Sequence, residues 1–448
     1  MEKKYQLLIN LMEKDLSSLK AEMLDTVENN ILPFWLNKMQ DVEQGGFYGQ
    51  MRGDGTLVKE ADKGCILNAR ILWSFSAAYR VLRKPEYLAA ATRAKDYILQ
   101  HFIDREFGGA YWSLMADGTP LDTKKQFYAI GFVIYGLTEY SRATHDLESL
   151  NLAIDLYHSI EDHSFDQQFN GYIEACTREW GEISDMRLSD LDANFPKSQN
   201  THLHIIEPYT NLYRVLKSLS TCEKHAAAYR DITAEVEERL RNLISIFTDK
   251  ILNPETHHLD LFFEMDWTRA GASKDCSEQL KGVTGEEPSP SKNGWRLESY
   301  GHDIECSWLM HEAALVLGDK EVLAKVEPIV KLVAKASEKG LNADGSMTHE
   351  ANLDTGHVDD DRHWWVQAES VVGFFNIYQY FGDEEALQKS LRGWQYIKDN
   401  LIDHEMGEWY WSRDPQGNIN LKDDHAGFWK CPYHNSRMCL ELIERIDS

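Results

Sequence analysis

Gly45-Gly46-Phe47-Tyr48-Gly49 and Gly108-Gly109-Ala110-Tyr111-Trp112 share one pattern, paired glycines followed by aromatic residues. It returns at Asn170-Gly171-Tyr172, at Met406-Gly407-Glu408-Trp409-Tyr410-Trp411 and, in a weaker form, at Asp344-Gly345-Ser346-Met347. The spacing is regular: 63 residues from Gly46 to Gly109, 62 from Gly109 to Gly171 and 62 from Gly345 to Gly407. A fixed period of this size marks an internally repeated architecture. The interval of 174 residues from Gly171 to Gly345 holds two enlarged units, with extra residues in 266–296 and a sixth loop near His257, His258 and Leu259.

Between the loops the apolar spacing is helical, as in Ile66, Leu67, Ala69, Leu72 and Trp73, and strand-like alternation is brief. Twelve helices are predicted, over 5–30, 66–80, 85–102, 125–144, 147–162, 200–217, 224–247, 302–317, 320–339, 361–381, 384–401 and 427–445. Six units of two helices make an all-α chain, an (α/α)6 barrel in a single domain spanning 1–448. The helix after each loop is rich in aromatic and small residues and suits an inner ring. The second helix of several pairs is more polar and suits an outer ring with one wet face. Six inner-helix N-termini would then gather at one mouth, where their partial positive charge favours a developing anion. The glycine- and proline-rich stretch 266–296 reads as a long irregular loop over that mouth.

With 448 residues, 43% of them hydrophobic, the chain can bury a sizeable core. Its 73 acidic and 47 basic side chains give a formal charge of −26, which disfavours nucleic acid and anionic membrane surfaces as partners. The longest uninterrupted apolar stretch, 129–137, is far short of the roughly 20 residues of a membrane span. The start at Met1 carries no apolar signal core, so a cytoplasmic location is expected. The seven cysteines are scattered without metal or redox spacing and read as reduced thiols, mostly buried.

Tyr300-Gly301-His302-Asp303-Ile304-Glu305 is the sharpest local constellation. A helix starting there puts His302 and Glu305 on one face, where the carboxylate can orient an imidazole that takes and returns protons near neutral pH. A surface ion pair at a helix start is the plainer alternative. His434, in Cys431-Pro432-Tyr433-His434-Asn435, would reach the same mouth, though a histidine beside aromatics often only packs. Asn200 and His204 are four apart and can face one ligand, whereas His202 points away, so no metal is expected from that pair. Arg70 sits in an apolar helical run and must snorkel, the commoner answer, or meet an anion. Trp365 and Glu369 share a helix face, as core residues or as a sugar-binding surface. No phosphate cradle and no nucleophile elbow occur.

These blocks resemble the N-acylglucosamine 2-epimerase superfamily, and within it the cellobiose 2-epimerases. The resemblance runs nearly end to end, from Ile31-Leu32-Pro33-Phe34-Trp35 through Ala69-Arg70-Ile71-Leu72-Trp73 and Ser299-Tyr300-Gly301-His302-Asp303-Ile304-Glu305. It continues through Trp364-Trp365-Val366-Gln367-Ala368-Glu369 to Trp429-Lys430-Cys431-Pro432-Tyr433-His434-Asn435. It implies an (α/α)6 barrel and a cofactor-independent isomerase, without a bound metal, that inverts C2 of the reducing-end sugar of a β-1,4-linked disaccharide. His302 and His434 match the two acid/base histidines. Arg70, Asn200 and His204 match residues that hold the sugar oxygens, Glu305 and Glu369 supporting carboxylates, and Tyr128, Asp192, Trp308, Trp365 and Trp429 pocket residues. The insertion at 266–296 departs from the pattern at the pocket rim. A small sugar is the expected partner, bound by a monomer or homodimer.

The chemistry suits these residue types. Hydrogen at C2 of a closed sugar is not acidic, so the ring opens to an aldehyde before a base forms a cis-enediolate, and a second acid reprotonates the other face. Donors such as Arg70 and His204 stabilise the enediolate oxygens, a contribution of about 3 kcal/mol per donor. The rivals are epimerisation of N-acetylglucosamine or mannose isomerisation on the same scaffold, a glycoside hydrolase using two carboxylates, and a sugar-binding protein without catalysis.

Overall fold

Each glycine loop closes in the same way. A helix ends, and a single antiparallel bridge forms across a tight turn: Gln40 with Phe47, Ile103 with Ala110, Phe165 with Tyr172, Leu252 with Leu259, Leu341 with Met347 and Ile402 with Trp409. The fourth and fifth bridges confirm the two enlarged units. The turn needs a left-handed residue, which explains the glycines: Gly46 has φ +62° and a Cβ there would lie 2.7 Å from the Tyr97 ring. At the fourth loop His257 adopts φ 62° itself, which is why that unit lacks the glycine signature.

The computed structural model describes residues 16–189, 192–270 and 296–446. Twelve helices are present among them. Helix α1 covers residues 16–38, with a π turn at Val27–Ile31 before Leu32–Lys38. Then come α2 (Cys65–Leu82), α3 (Pro85–Tyr97, with a π turn at Ile98–Phe102), α4 (Phe127–Thr144) and α5 (Leu147–His163). They are followed by α6 (Gln199–Ser220), α7 (Ala226–Ile246, with a π turn at Phe247–Ile251), α8 (Tyr300–Leu317) and α9 (Lys320–Ser337). The last three are α10 (Trp364–Phe381), α11 (Glu384–Asn400) and α12 (Tyr433–Ile446).

The even-numbered helices pack in sequence, α2 on α4, α4 on α6, α6 on α8, α8 on α10 and α10 on α12, and α12 closes the ring on α2. Odd-numbered helices pack outside their partners, so the architecture is an (α/α)6 barrel. Inner helices are buried on nearly every face, as in α2, where all residues from Cys65 to Ala78 are covered. Among the described residues no helix is long and apolar enough to cross a membrane.

Buried ion pairs tie the loops to the starts of the inner helices. Lys63 Nζ lies 2.7 Å from Asp41 Oδ2, Lys125 Nζ 2.9 Å from Asp104 Oδ2, Lys197 Nζ 2.7 Å from Asp166 Oδ2 and Lys430 Nζ 2.6 Å from Glu408 Oε1. Breaking such a pair strands a buried charge, at a cost of about 3–5 kcal/mol.

Two boundaries differ from expectation. The last helix begins at Tyr433 rather than 427, because Pro432 has no N–H to donate and Gly427 turns back onto the Lys430 carbonyl. The first runs on to Lys38, since Pro33 falls in the first turn of its final segment, where no donor is needed. The predicted start at residue 5, most of the 266–296 loop and Cys276 lie outside the described residues. Of the other cysteines Cys222 is exposed and Cys65, Cys176, Cys306, Cys431 and Cys439 are buried, all as free thiols.

Candidate active site

The inner helices deliver the chemistry-bearing side chains near their N-terminal ends. Arg70 comes from α2, Tyr128 from α4, Asn200 and His204 from α6, His302 and Glu305 from α8, Trp365 and Glu369 from α10, and His434 from α12. His302 and His434 flank one indole: the Trp365 ring centroid is 4.8 Å from His302 and 5.8 Å from His434. On the other side Tyr128 packs edge-on against His204 at 4.8 Å, and Trp429 lies 6.1 Å from Tyr128.

Each imidazole is anchored through Nδ1. His434 Nδ1 donates to Glu369 Oε1 at 2.7 Å, and His302 Nδ1 lies 2.8 Å from the Ser299 hydroxyl. Nε2 of each ring is thereby left for a ligand. Burial, together with the neighbouring His204, His349 and His434, pushes the His302 imidazole down to about 3. Burial also outweighs Glu369 at His434 and takes it down to about 3, so both rings are neutral bases at neutral pH.

Arg70 does not snorkel. It is 3% exposed, donates to Tyr128 Oη at 2.7 Å and lies over the Phe132 and Tyr433 rings. Among the described residues its Nε has no partner and no carboxylate pairs with it. A buried cation without a counter-ion is suited to an anion that forms during turnover.

Behind the histidines lies a cluster that sequence reasoning missed. Arg437 Nη2 donates at 2.6 Å to both Glu305 Oε1 and Glu369 Oε1, while Nη1 reaches Glu207 and Tyr433. Trp308 Nε1 donates to Glu369 Oε2 at 3.0 Å, and His204 Nδ1 lies 3.0 Å from Glu207 Oε2. Three buried carboxylates share one guanidinium. Burial opposes ionisation of Glu369, yet Arg437 and His434 hold it down to about 2. Burial and the charge of Glu369 raise Glu305 well above the carboxylate range, and burial raises Glu207. Glu305, Glu369 and His434 offer three metal-ligating atoms close together, but an ion there would have to displace Arg437.

The geometry corrects the expected partner of Glu305 and gives Trp308 and Asp192 partners within the protein. Glu305 does not orient His302: its oxygen turns to Arg437, 3.9 Å from His434 Nδ1, because the guanidinium outcompetes a neutral ring, and Ser299 takes the orienting position. Trp308 is fully buried and donates to Glu369, whereas Trp365 and Trp429 are half-buried. Asp192 is occupied by its own loop, accepting from the Ser189 amide and hydroxyl at 2.9 and 2.7 Å.

Asn200 Oδ1 is buried without a protein partner. His202 points away from His204, accepting from the Tyr172 amide through Nε2 at 3.0 Å, with Nδ1 2.6 Å from the Ser198 carbonyl. A usable signal for the missed cluster was the repeated His-x-x-Glu, at His204 with Glu207 and at His302 with Glu305, alongside Arg437 three residues after His434.

Comparison with known proteins meets this geometry. The pattern of the N-acylglucosamine 2-epimerase (GlcNAc 2-epimerase) family matches residues 46–436. The chain belongs to this family. Within the N-acylglucosamine 2-epimerase family it is 53% identical to the cellobiose 2-epimerase of Bacteroides fragilis, over 95% of this chain and 98% of that protein. The structure of cellobiose 2-epimerase from Bacillus thermoamylovorans superposes with TM-score 0.82 at 38% identity, covering 96% of this chain and all of that one. A D-mannose isomerase structure shares the fold, with TM-score 0.75 at 19% identity over 96% of this chain and 97% of its own.

Proposed function

We propose that this N-acylglucosamine 2-epimerase family member is a cellobiose 2-epimerase, a cofactor-independent isomerase that interconverts glucose and mannose at the reducing end of β-1,4-linked disaccharides such as cellobiose and lactose. It acts as a single cytoplasmic domain, as monomer or homodimer. The observation that carries this reading is the pair of neutral, Nδ1-anchored histidines beside Arg70, a buried cation with no counter-ion among the described residues.

In this reading the sugar ring opens and one histidine Nε2 removes the C2 proton. Loss of that proton puts negative charge on the C1 oxygen, beside the C2 hydroxyl, and Arg70 lies ready to compensate it. The other histidine, which takes up a proton from solvent as the anionic intermediate forms beside it, gives that proton to the opposite face. The first histidine releases the C2 proton to solvent. Glu369 favours the charged form of His434 once it has accepted a proton. Ser299 can donate or accept, so His302 is free to change tautomer as it passes from base to acid. Glu207, raised by burial, can keep a proton on Oε2 and donate it to His204 Nδ1, which turns His204 Nε2–H toward a sugar oxygen. Asn200 Oδ1 is a free acceptor for a hydroxyl.

A hydrolase reading fits less well. Glu305 and Glu369 are fully buried and converge on one guanidinium nitrogen, so neither stands free across a glycosidic bond. Product analysis of cellobiose separates the two: 4-O-β-glucosyl-mannose is expected, and release of free glucose would overturn the proposal.

A further inference from the structure

A second set of nitrogen and oxygen donors converges outside the histidine pair. His349 follows the fifth glycine loop, Asp359 closes the two-residue strand Val358–Asp359, and His363 ends the strand Arg362–His363 just before α10. These separate segments bring His349 Nδ1 to 2.8 Å and His363 Nε2 to 3.9 Å from the same oxygen, Asp359 Oδ2. One donor atom from each residue lies within 4.8 Å of the other two. The imidazoles stack face to face, with centroids 4.1 Å apart and planes 16° from parallel. A hydrogen bond explains His349 with Asp359. It does not explain a second histidine turned toward the same carboxylate.

We propose that His349, Asp359 and His363 bind a divalent transition cation of the zinc class. An ion held at about 2.0–2.2 Å by each donor needs donor atoms about 3–4 Å apart, which here requires the two stacked rings to fan apart until their lone pairs converge. Two imidazoles and one carboxylate suit Zn2+, Co2+ or Ni2+, while Mg2+ and Ca2+ prefer oxygen ligands throughout. The three side chains are 19%, 35% and 16% exposed, so an ion can enter from solvent. This distinguishes them from Glu305, Glu369 and His434, which are sealed and held by Arg437. On binding, the ion replaces the proton that His349 Nδ1 shares with Asp359. A neutral ring carries that proton on Nε2 instead, and a doubly protonated ring releases it to the buffer and keeps the one on Nε2.

Occupancy reaches the chemistry through Trp365. The His349 ring stands perpendicular to that indole at 5.8 Å, and the indole packs against both His302 and His434. Fixing His349 beside Trp365 stiffens the pocket wall, so the bound ion inhibits; this consequence alone rests on the epimerase reading.

The test uses the purified full-length chain, stripped with a chelator, dialysed and titrated with zinc chloride in a calorimeter. One zinc per chain is expected, with affinity at least about tenfold weaker in His363→Ala and in Asp359→Asn. Cobalt chloride should give visible ligand-field absorption with the parent chain that both variants lose, and circular dichroism checks that they fold. Absence of saturable binding, or variants that bind as tightly as the parent, would overturn the site. With cellobiose, the stripped enzyme should be fully active and zinc should slow it, but not His363→Ala. Zinc bound with turnover unchanged would overturn the inhibition while the binding data uphold the site.

Discussion

His434 Nδ1 and Glu369 Oε1 lie 2.7 Å apart, the closest link between a candidate base and a carboxylate in the pocket. The same oxygen accepts from Arg437, so one carboxylate fixes the tautomer of His434 and joins it to the buried cluster.

This link predicts unequal roles for the two carboxylates. Glu369→Gln should lower kcat on cellobiose by at least about tenfold with little change in KM, since an anchoring partner acts on proton transfer rather than on sugar contacts. Glu305→Gln, which removes no histidine hydrogen bond, should cost less. Equal losses in steady-state kinetics would mean that both act only through Arg437.

His302→Ala and His434→Ala should each lower turnover by at least about a hundredfold. His202→Ala should behave differently. Its ring is buried and bonded at both nitrogens to the loop and helix start around it, so thermal unfolding should report a loss of about 2–3 kcal/mol while kcat at low temperature stays near the parent value. A large kcat loss in a folded His202→Ala chain would place that residue in the chemistry.

The neutral histidines also set a pH dependence. His302 and His434 are pushed down to about 3 in the folded chain, against about 6.5 when unfolded. Between those values the unfolded chain binds protons that the folded chain refuses. Their contribution to stability is therefore complete above about pH 6.5 and is lost as pH falls toward 3. Denaturant unfolding across this window should show a shallower slope in His302→Gln/His434→Gln than in the parent, and the acid limb of kcat/KM should lie below about pH 6.5. Identical slopes would contradict the burial account.

Trp429 and Trp308 should separate binding of the second sugar ring from support of the base. Cellobiose or lactose should be turned over with higher kcat/KM than glucose, mannose or N-acetylglucosamine. Half-buried Trp429, as Ala, should narrow that gap by weakening the disaccharides, because remote contacts help hold the opened sugar. Trp308→Ala should lower kcat on every sugar, because its indole holds Glu369. A Trp429→Ala chain with unchanged preference, or a parent that prefers N-acetylglucosamine, would move the substrate assignment.

Most of the fold was legible because the information is periodic. The glycine loops recur at a fixed interval, and even the enlarged units kept the bridge, though His257 stood in for glycine. Helix ends were less legible where proline decides them, as at Pro33 and Pro432. At the site, residue types and helix faces located His302, His434, Arg70 and Glu369. Pairings between helices were not legible, because the spacing of His302 and Glu305 on α8 carries no information about Arg437 on α12. A guanidinium from another helix captured Glu305, and a hydroxyl at the helix entrance took its place. Trp308 was expected in the pocket from the resemblance alone, and nothing in its local sequence shows that its indole donates to Glu369.

The central claim is that C2 loses its hydrogen to a side chain. Incubating the enzyme with cellobiose in deuterated water and following the products by NMR tests it directly. The account predicts deuterium at C2 of the reducing-end mannose and, with time, of the recovered glucose end, with none at other carbons. Epimerised product that retains its original C2 hydrogen throughout would contradict proton transfer by His302 and His434.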